Sequence, residues 1–128
     1  MTTRVESSEK LCAAIVQQCA DAMIFADRDG RIRLWNDAAE RLFGRTAEQA
    51  VGQSLDIVIP EHLRARHWAG YRMAMESGAT KHSGRPMLTK GLHRSGATLY
   101  AEMSFAVVSE PKGGILGSIA VAREPRER

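Results

Sequence analysis

Residues 55–78 read LDIVIPEHLRARHWAGYRMAMESG. A short apolar run, 55–60, closes on Pro60, a helix is expected just after it, and Ser77-Gly78 marks its end. At about 100° per residue, Leu63, His67, Gly70, Tyr71 and Ala74 fall on one side of that helix, and Glu61, Arg72 and Glu76 on the other. The charged side suits water and the other suits a core. His67 is then an inward imidazole beside two very small residues, Gly70 and Ala74, which leave room for something flat. His62 lies near the helix start, off that face.

Outward from this helix the texture alternates. Residues 23–26 are apolar, 27–30 read DRDG, and 31–35 read RIRLW, which predicts a hairpin. Ile32 and Leu34 are expected on one face of its second strand, Arg31 and Arg33 on the other. Asp37 and Glu40 have capping-box spacing at the head of a small helix that Gly44 stops. Thr46 and Gln49 repeat the device, and Gly52 ends that piece. Ahead of the hairpin, Ser7 or Ser8 caps a helix reaching residue 20. Its stripe of Leu11, Ala14, Ile15, Gln18 and Cys19 is weakly apolar, suited to a surface or to a contact with a second copy. Past the long helix, strands are expected at 87–92, 99–108 and 115–122, with turns at 93–96 and 110–114 and a stop at Pro125.

Helices do not alternate with strands, which excludes a doubly wound sheet. The economical fold is α+β: one five-stranded antiparallel sheet with helices packed on one face. The last three strands form a meander, and the first hairpin pairs with it. The organisation is an N-terminal flanking helix (1–20), one domain (21–124) and a short tail (125–128).

With 128 residues, 44% hydrophobic and 26% charged, the chain suits one soluble globular domain with a real core. No apolar run approaches the roughly 18 residues of a membrane span, and MTTRVESSEK lacks the apolar centre of a signal peptide. A cytoplasmic location without membrane contact is expected. The net charge of +3 is mild and the bases are spread, so no nucleic-acid groove is expected. Cys12 and Cys19 stand about 10 Å apart along one helix, too far for a disulfide. Hydrolase elbows, phosphate loops and zinc motifs are absent, and the acids sit mostly at caps and turns, so the chain is not expected to be an enzyme.

The element order, with the phrases ADAMIFADRDGRIRLWNDAAERLFGRTAEQAVGQSLDIVIP, HRSGATLYAEMSFAVV and GGILGSIAVARE, resembles the PAS sensory domain over residues 21–124. The phrases NDAAERLFG and VGQSLDIVIP are specific for that family. Within it, IPEHLRARH resembles the haem-binding PAS sensors of the FixL and Dos type. That resemblance implies haem b, with His67 as proximal ligand and a diatomic gas (O2, CO or NO) as signal. Leu63, Gly70, Tyr71 and Ala74 would line the group. Met87 would supply a sixth iron ligand, or Arg85 a hydrogen bond to the bound gas. Such sensors commonly carry an aromatic three residues after the histidine; this chain has Gly70 there and Tyr71 one later. The blue-light flavin branch of the family needs a cysteine after the second strand, and both cysteines here precede the first.

Each site residue also has a plain structural reading. His67 could be a core histidine bonded to a backbone carbonyl, Met87 a strand methionine filling volume, and Arg85 a surface charge. His82 and His93 belong to turns, and His82 is the one that could rival Met87. For the whole chain the alternative is a haem-free PAS domain that binds another small ligand or serves as a dimerisation module. The expected partners are a second copy of the chain and an output domain or signalling protein.

Overall fold

The computed structural model describes residues 7–80 and 84–126. Helix α1 (Ser8–Gln18) is capped by Ser7, whose hydroxyl accepts from the Lys10 N–H at 3.1 Å. It buries none of its residues; Leu11 and Ile15 are 45% and 59% exposed. Five strands follow in two groups: β1 (Ala22–Asp27) and β2 (Ile32–Trp35), then β3 (Met87–Leu92), β4 (Thr98–Ser109) and β5 (Ile115–Arg123). They form one antiparallel sheet in the order β2-β1-β5-β4-β3, the meander plus hairpin expected from sequence.

The hairpin departs from simple alternation. Phe25 pairs with Leu34 but Ala26 pairs with Ile32, so Arg33 is an extra residue in β2. A bulge of this kind shifts the facing of one strand. Ile32 and Trp35 are buried, whereas Leu34 is only half-buried. The bulge is tied down locally. Arg33 Nε donates to Asp27 Oδ2 at 2.7 Å, while Asp27 Oδ1 accepts from the N–H groups of Asp29 and Arg31.

Helix α2 (Asp37–Phe43) is capped by Asn36, not Asp37: the Asn36 side chain accepts from the Ala39 N–H. Glu40 is therefore not half of a capping box, and its carboxylate accepts instead from the N–H of Ala47 at 2.7 Å. Gly44 ends α2 in the left-handed conformation, φ 79°. Helix α3 (Ala47–Ala50) carries the expected Thr46–Gln49 capping box. It ends before Gly52, which turns the chain back toward β2 and donates its N–H to the Ile32 carbonyl. Residues 55–58 and 61–63 are two single 3-10 turns around Pro60, and α4 (Arg64–Ser77) begins only at Arg64. A tight turn at a helix entrance is common, and here it delays the helix expected directly after Pro60.

Antiparallel partners point to the same face of a sheet. Ala22, Ile24 and Ala26 of β1 are buried, and their register continues through Ala122 and Ala120 of β5 to Met103 and Phe105 of β4, then to Met87 of β3. That is the helix-covered face. The core on it contains Ile24, Ile32, Trp35, Phe43, Tyr71, Met75 and Met103, with the Trp35 and Phe43 rings 5.6 Å apart. Cover is incomplete toward the β3 edge: Met87 and Phe105 remain 43% and 38% exposed although they point to the helix side.

Candidate functional site

Helix α4 supplies the expected site histidine. Its buried residues are Tyr71, Ala74 and Met75, with Leu63, His67 and Trp68 half-buried around them. Gly70 is exposed, and a Cβ placed on it would meet nothing within 4 Å. The inward face is thus turned by about 60° from the one drawn by hydropathy alone. Gly70 leaves the site, Trp68 and Met75 enter it, and His67 moves from the centre of the face to its shoulder.

Two aromatic anchors cause that rotation. Trp68 lays its ring against Gly30 in the β1–β2 turn, where any side chain would overlap the ring; Gly30 itself has φ 82°. The Trp68 indole N–H donates to Asp56 Oδ1 at 2.7 Å. One turn further on, the Tyr71 hydroxyl donates to the Asp27 carbonyl at 2.6 Å, with the Ala26 carbonyl 3.2 Å away. Burial pushes the Tyr71 phenol above its ordinary value. At its far end α4 reaches the start of β5, with Gly78 beside Ile115.

His67 sits between these anchors. Its ring is edge-on to Trp68, centroids 4.6 Å apart, and tilted against Tyr71 at 5.7 Å. Its Nδ1 is buried without a hydrogen-bond partner among the described residues. The carbonyl partner of a plain core histidine is therefore missing at that nitrogen. Burial lowers the imidazole pKa below 6.5, and the nearby Asp56 carboxylate pulls it back only in part. The ring is neutral at neutral pH, which is the form that binds metal ions.

The remaining expected residues are dispersed. Ala74 is buried on α4, and Leu63 is half-buried in the 3-10 turn just before it. Met87 opens the edge strand β3, Arg85 precedes it, and both are exposed. His82 lies outside the described residues. His93 is half-buried in the β3–β4 turn, where its ring packs on Gly44 and its Nδ1 accepts from the Ser95 N–H. With Arg94 N–H donating to the Phe43 carbonyl, that turn closes the end of α2. Among the described residues no group of three or more His, Cys, Asp or Glu could hold a metal ion, and no helix is long and apolar enough to cross a membrane. Trp68 and Asp56 were not legible as partners. They are twelve residues apart, and no periodicity joins a 3-10 turn to the second turn of the next helix.

A family model for the PAS fold matches residues 10–125. The chain belongs to the PAS family. As a PAS signal-sensing domain it is 46% identical over 54 residues to the sensor protein FixL of Bradyrhizobium diazoefficiens, which covers 42% of this chain and 11% of that protein. An uncharacterized protein of Azorhizobium caulinodans is 32% identical over 108 residues, 84% of this chain and 14% of that one. The oxygen sensor protein DosP of Escherichia coli is 26% identical over 96 residues, 75% of this chain and 12% of that one. The chain thus spans between 11% and 14% of the length of these relatives. Among solved structures, a PAS domain from Colwellia psychrerythraea superposes with a TM-score of 0.79 at 21% identity, covering 95% of this chain and all of that one. An RNA-binding light-oxygen-voltage receptor gives 0.75 at 16% identity, with 97% of this chain and 35% of that one covered. These two likenesses show the PAS fold.

Proposed function

We propose that this PAS domain holds haem b between α4 and the open part of the sheet, with His67 as the proximal ligand, and that a diatomic gas is its signal. The observation that carries this reading is the His67 imidazole: neutral, half-buried, and with a buried ring nitrogen, Nδ1, that no described residue satisfies. A buried polar atom without a partner costs about 1–3 kcal/mol, and a ligand that engages that nitrogen offsets the cost. Uncovered apolar surface on the helix-facing side of the sheet, at Phe105 and Met87, fits a large flat hydrophobic group. The donor set also fits, because haem iron needs one protein ligand rather than a metal-binding cluster. When bound, the group supplies an iron centre whose gas affinity is tuned by its axial ligand and by the polarity around it.

The chain's own residues divide the work. His67 holds; Leu63, Tyr71 and Ala74 line the α4 side; Met87 or Arg85 closes the opposite side. The relationship to an oxygen sensor protein supports the choice of signal. The domain acts by binding, without catalysis of its own, in the cytoplasm and as part of a larger signalling protein or beside one.

The test is direct. Expressed with ample haem precursor, the protein should be red, with an intense blue-violet absorption band that His67→Ala removes while the fold persists. A colourless wild-type protein that stays empty when free haem is added would overturn the reading.

A second reading, a haem-free dimerisation module, is favoured by α1, which leaves both Leu11 and Ile15 exposed. Light scattering before and after removal of residues 1–20 tests the dimer; a monomer in both cases rejects it.

A further inference from the structure

We infer that Trp68 and Asp56 are a positioning pair that sets the rotation of α4 about its own axis, and with it the direction in which His67 is presented; the inference rests on the reading of His67 as a ligand. Trp68 is held from two sides. Its indole N–H is bound to Asp56 in the 3-10 turn before the helix. Its ring fills the volume that a side chain at residue 30 would take. These two supports are themselves joined, because the Leu55 N–H donates to the Gly30 carbonyl at 3.0 Å.

The same turn grips α4 a second time. Arg64 stands one helical turn before Trp68, on the same stripe. Its guanidinium donates to the carbonyls of Ile59 at 3.0 Å and Asp56 at 3.1 Å. Asp56 Oδ1 lies 3.9 Å from Arg64 Nε, so one carboxylate faces both residues. A helix fixed at two residues on one stripe cannot turn about its axis without breaking both attachments. His67 precedes Trp68 and lies about 100° from it around the helix, and its ring is edge-on to the indole. Releasing the indole leaves that stripe of α4 held by Arg64 alone and takes away the support beside His67, while the main-chain hydrogen bonds of α4 are left intact.

The pair differs from an ordinary core contact in what it should change. An anchor of overall stability would alter unfolding alone. A positioning pair alters the environment of the His67 ring at constant fold, and loss of a residue that orients a metal ligand typically weakens binding by about 10–100-fold.

The experiment uses Trp68→Phe, Asp56→Ala and the conservative Asp56→Asn, whose amide oxygen still accepts from the indole. In the haem-free proteins, nuclear Overhauser contacts between the His67 and Tyr71 rings read the direction of the imidazole. In haem-loaded proteins, transfer of haem to a scavenging apoglobin reads the loss rate, and absorption reads the ligand field. Far-UV circular dichroism verifies the fold. Trp68→Phe and Asp56→Ala should weaken the His67–Tyr71 contacts and release haem at least about tenfold faster, with Asp56→Asn close to wild type. Unchanged His67–Tyr71 contacts together with wild-type haem retention in Trp68→Phe and Asp56→Ala would overturn the inference. If Trp68→Phe fails to fold, Asp56→Ala decides by the same criteria. A wild type that takes up no haem defeats the ligand reading only, and the His67–Tyr71 contacts then decide the positioning role alone.

Discussion

The Asn36 side chain donates to the carbonyl of Val16 at 2.8 Å, and this bond joins the flanking helix α1 to the body of the domain. The same amide donates to the Asp21 carbonyl at 3.0 Å, and its oxygen accepts from the N–H groups of Met23 at 2.9 Å and Ala39 at 3.0 Å. Asn36 is wholly buried, so these four bonds have no competition from water. One side chain thus ties the end of α1, the start of β1 and the N-terminus of α2.

Asn36→Ala removes a helix cap worth about 1 kcal/mol and strips a partner from three further buried or half-buried backbone groups. We expect a loss of about 2–4 kcal/mol, read as a lower urea midpoint at constant slope. Asn36→Asp keeps both accepted bonds and loses both donated ones. In that variant, hydrogen exchange should rise first at the C-terminal end of α1.

Tyr71→Phe removes the hydroxyl that donates to the Asp27 carbonyl, while the ring can stay in place. The expected cost is about 0.5–1.5 kcal/mol, the value of one hydrogen bond, because the Asp27 carbonyl still accepts from the Gly30 N–H. Chemical denaturation measures it. Because Tyr71 reaches the end of β1, amide exchange should also quicken around Asp27 rather than uniformly.

The features that sequence made legible are those decided within a few residues. The Thr46–Gln49 capping box, the left-handed Gly44 and Gly78, and the strands of the meander each depend on near neighbours. What escaped depends on contacts across the fold. Asn36 takes the cap from Asp37 because it can serve α1 and β1 at the same time. Arg33 becomes a bulge because its guanidinium reaches back to Asp27. The face of α4 turned because a hydropathy wheel counts Gly70 as neutral filling and cannot see that Trp68 has a slot waiting at Gly30. For the candidate site, a histidine leaning inward on α4 was legible, and its two aromatic neighbours were not weighed as its supports.

Two glycines should respond in opposite directions to the same substitution. Gly70 lies within α4, exposed, with open space where a Cβ would be. Gly70→Ala should stabilise the domain by about 0.5–1 kcal/mol through helix propensity. Gly117 in β5 faces the Ala26 carbonyl and the Phe25 ring so closely that a Cβ would overlap the backbone. Gly117→Ala must push β1 and β5 apart, and should cost at least about 2 kcal/mol. Thermal unfolding of both variants checks the pair; a stabilised Gly117→Ala would show that the β1–β5 pairing is looser than this register.

The ionisation of His67 gives stability a pH dependence with a definite sign. Burial holds its folded-state pKa below the ordinary 6.5, against a weaker upward pull from Asp56. The unfolded chain therefore binds the proton more readily, and between the two values unfolding takes up protons. Stability from this group is full above about pH 6.5 and falls as pH drops through that value toward the depressed one. Asp27 does not interfere in that window. Desolvation works against its ionisation, but hydrogen bonds from Arg33 and from the Arg31 and Asp29 N–H groups outweigh it and hold the carboxyl below its ordinary 3.8. Urea midpoints measured from about pH 8 to about pH 5 should fall more steeply in wild type than in His67→Gln, which cannot titrate. The difference between the two curves isolates the His67 contribution. Parallel curves would mean that the imidazole is as well solvated in the folded domain as in the unfolded chain.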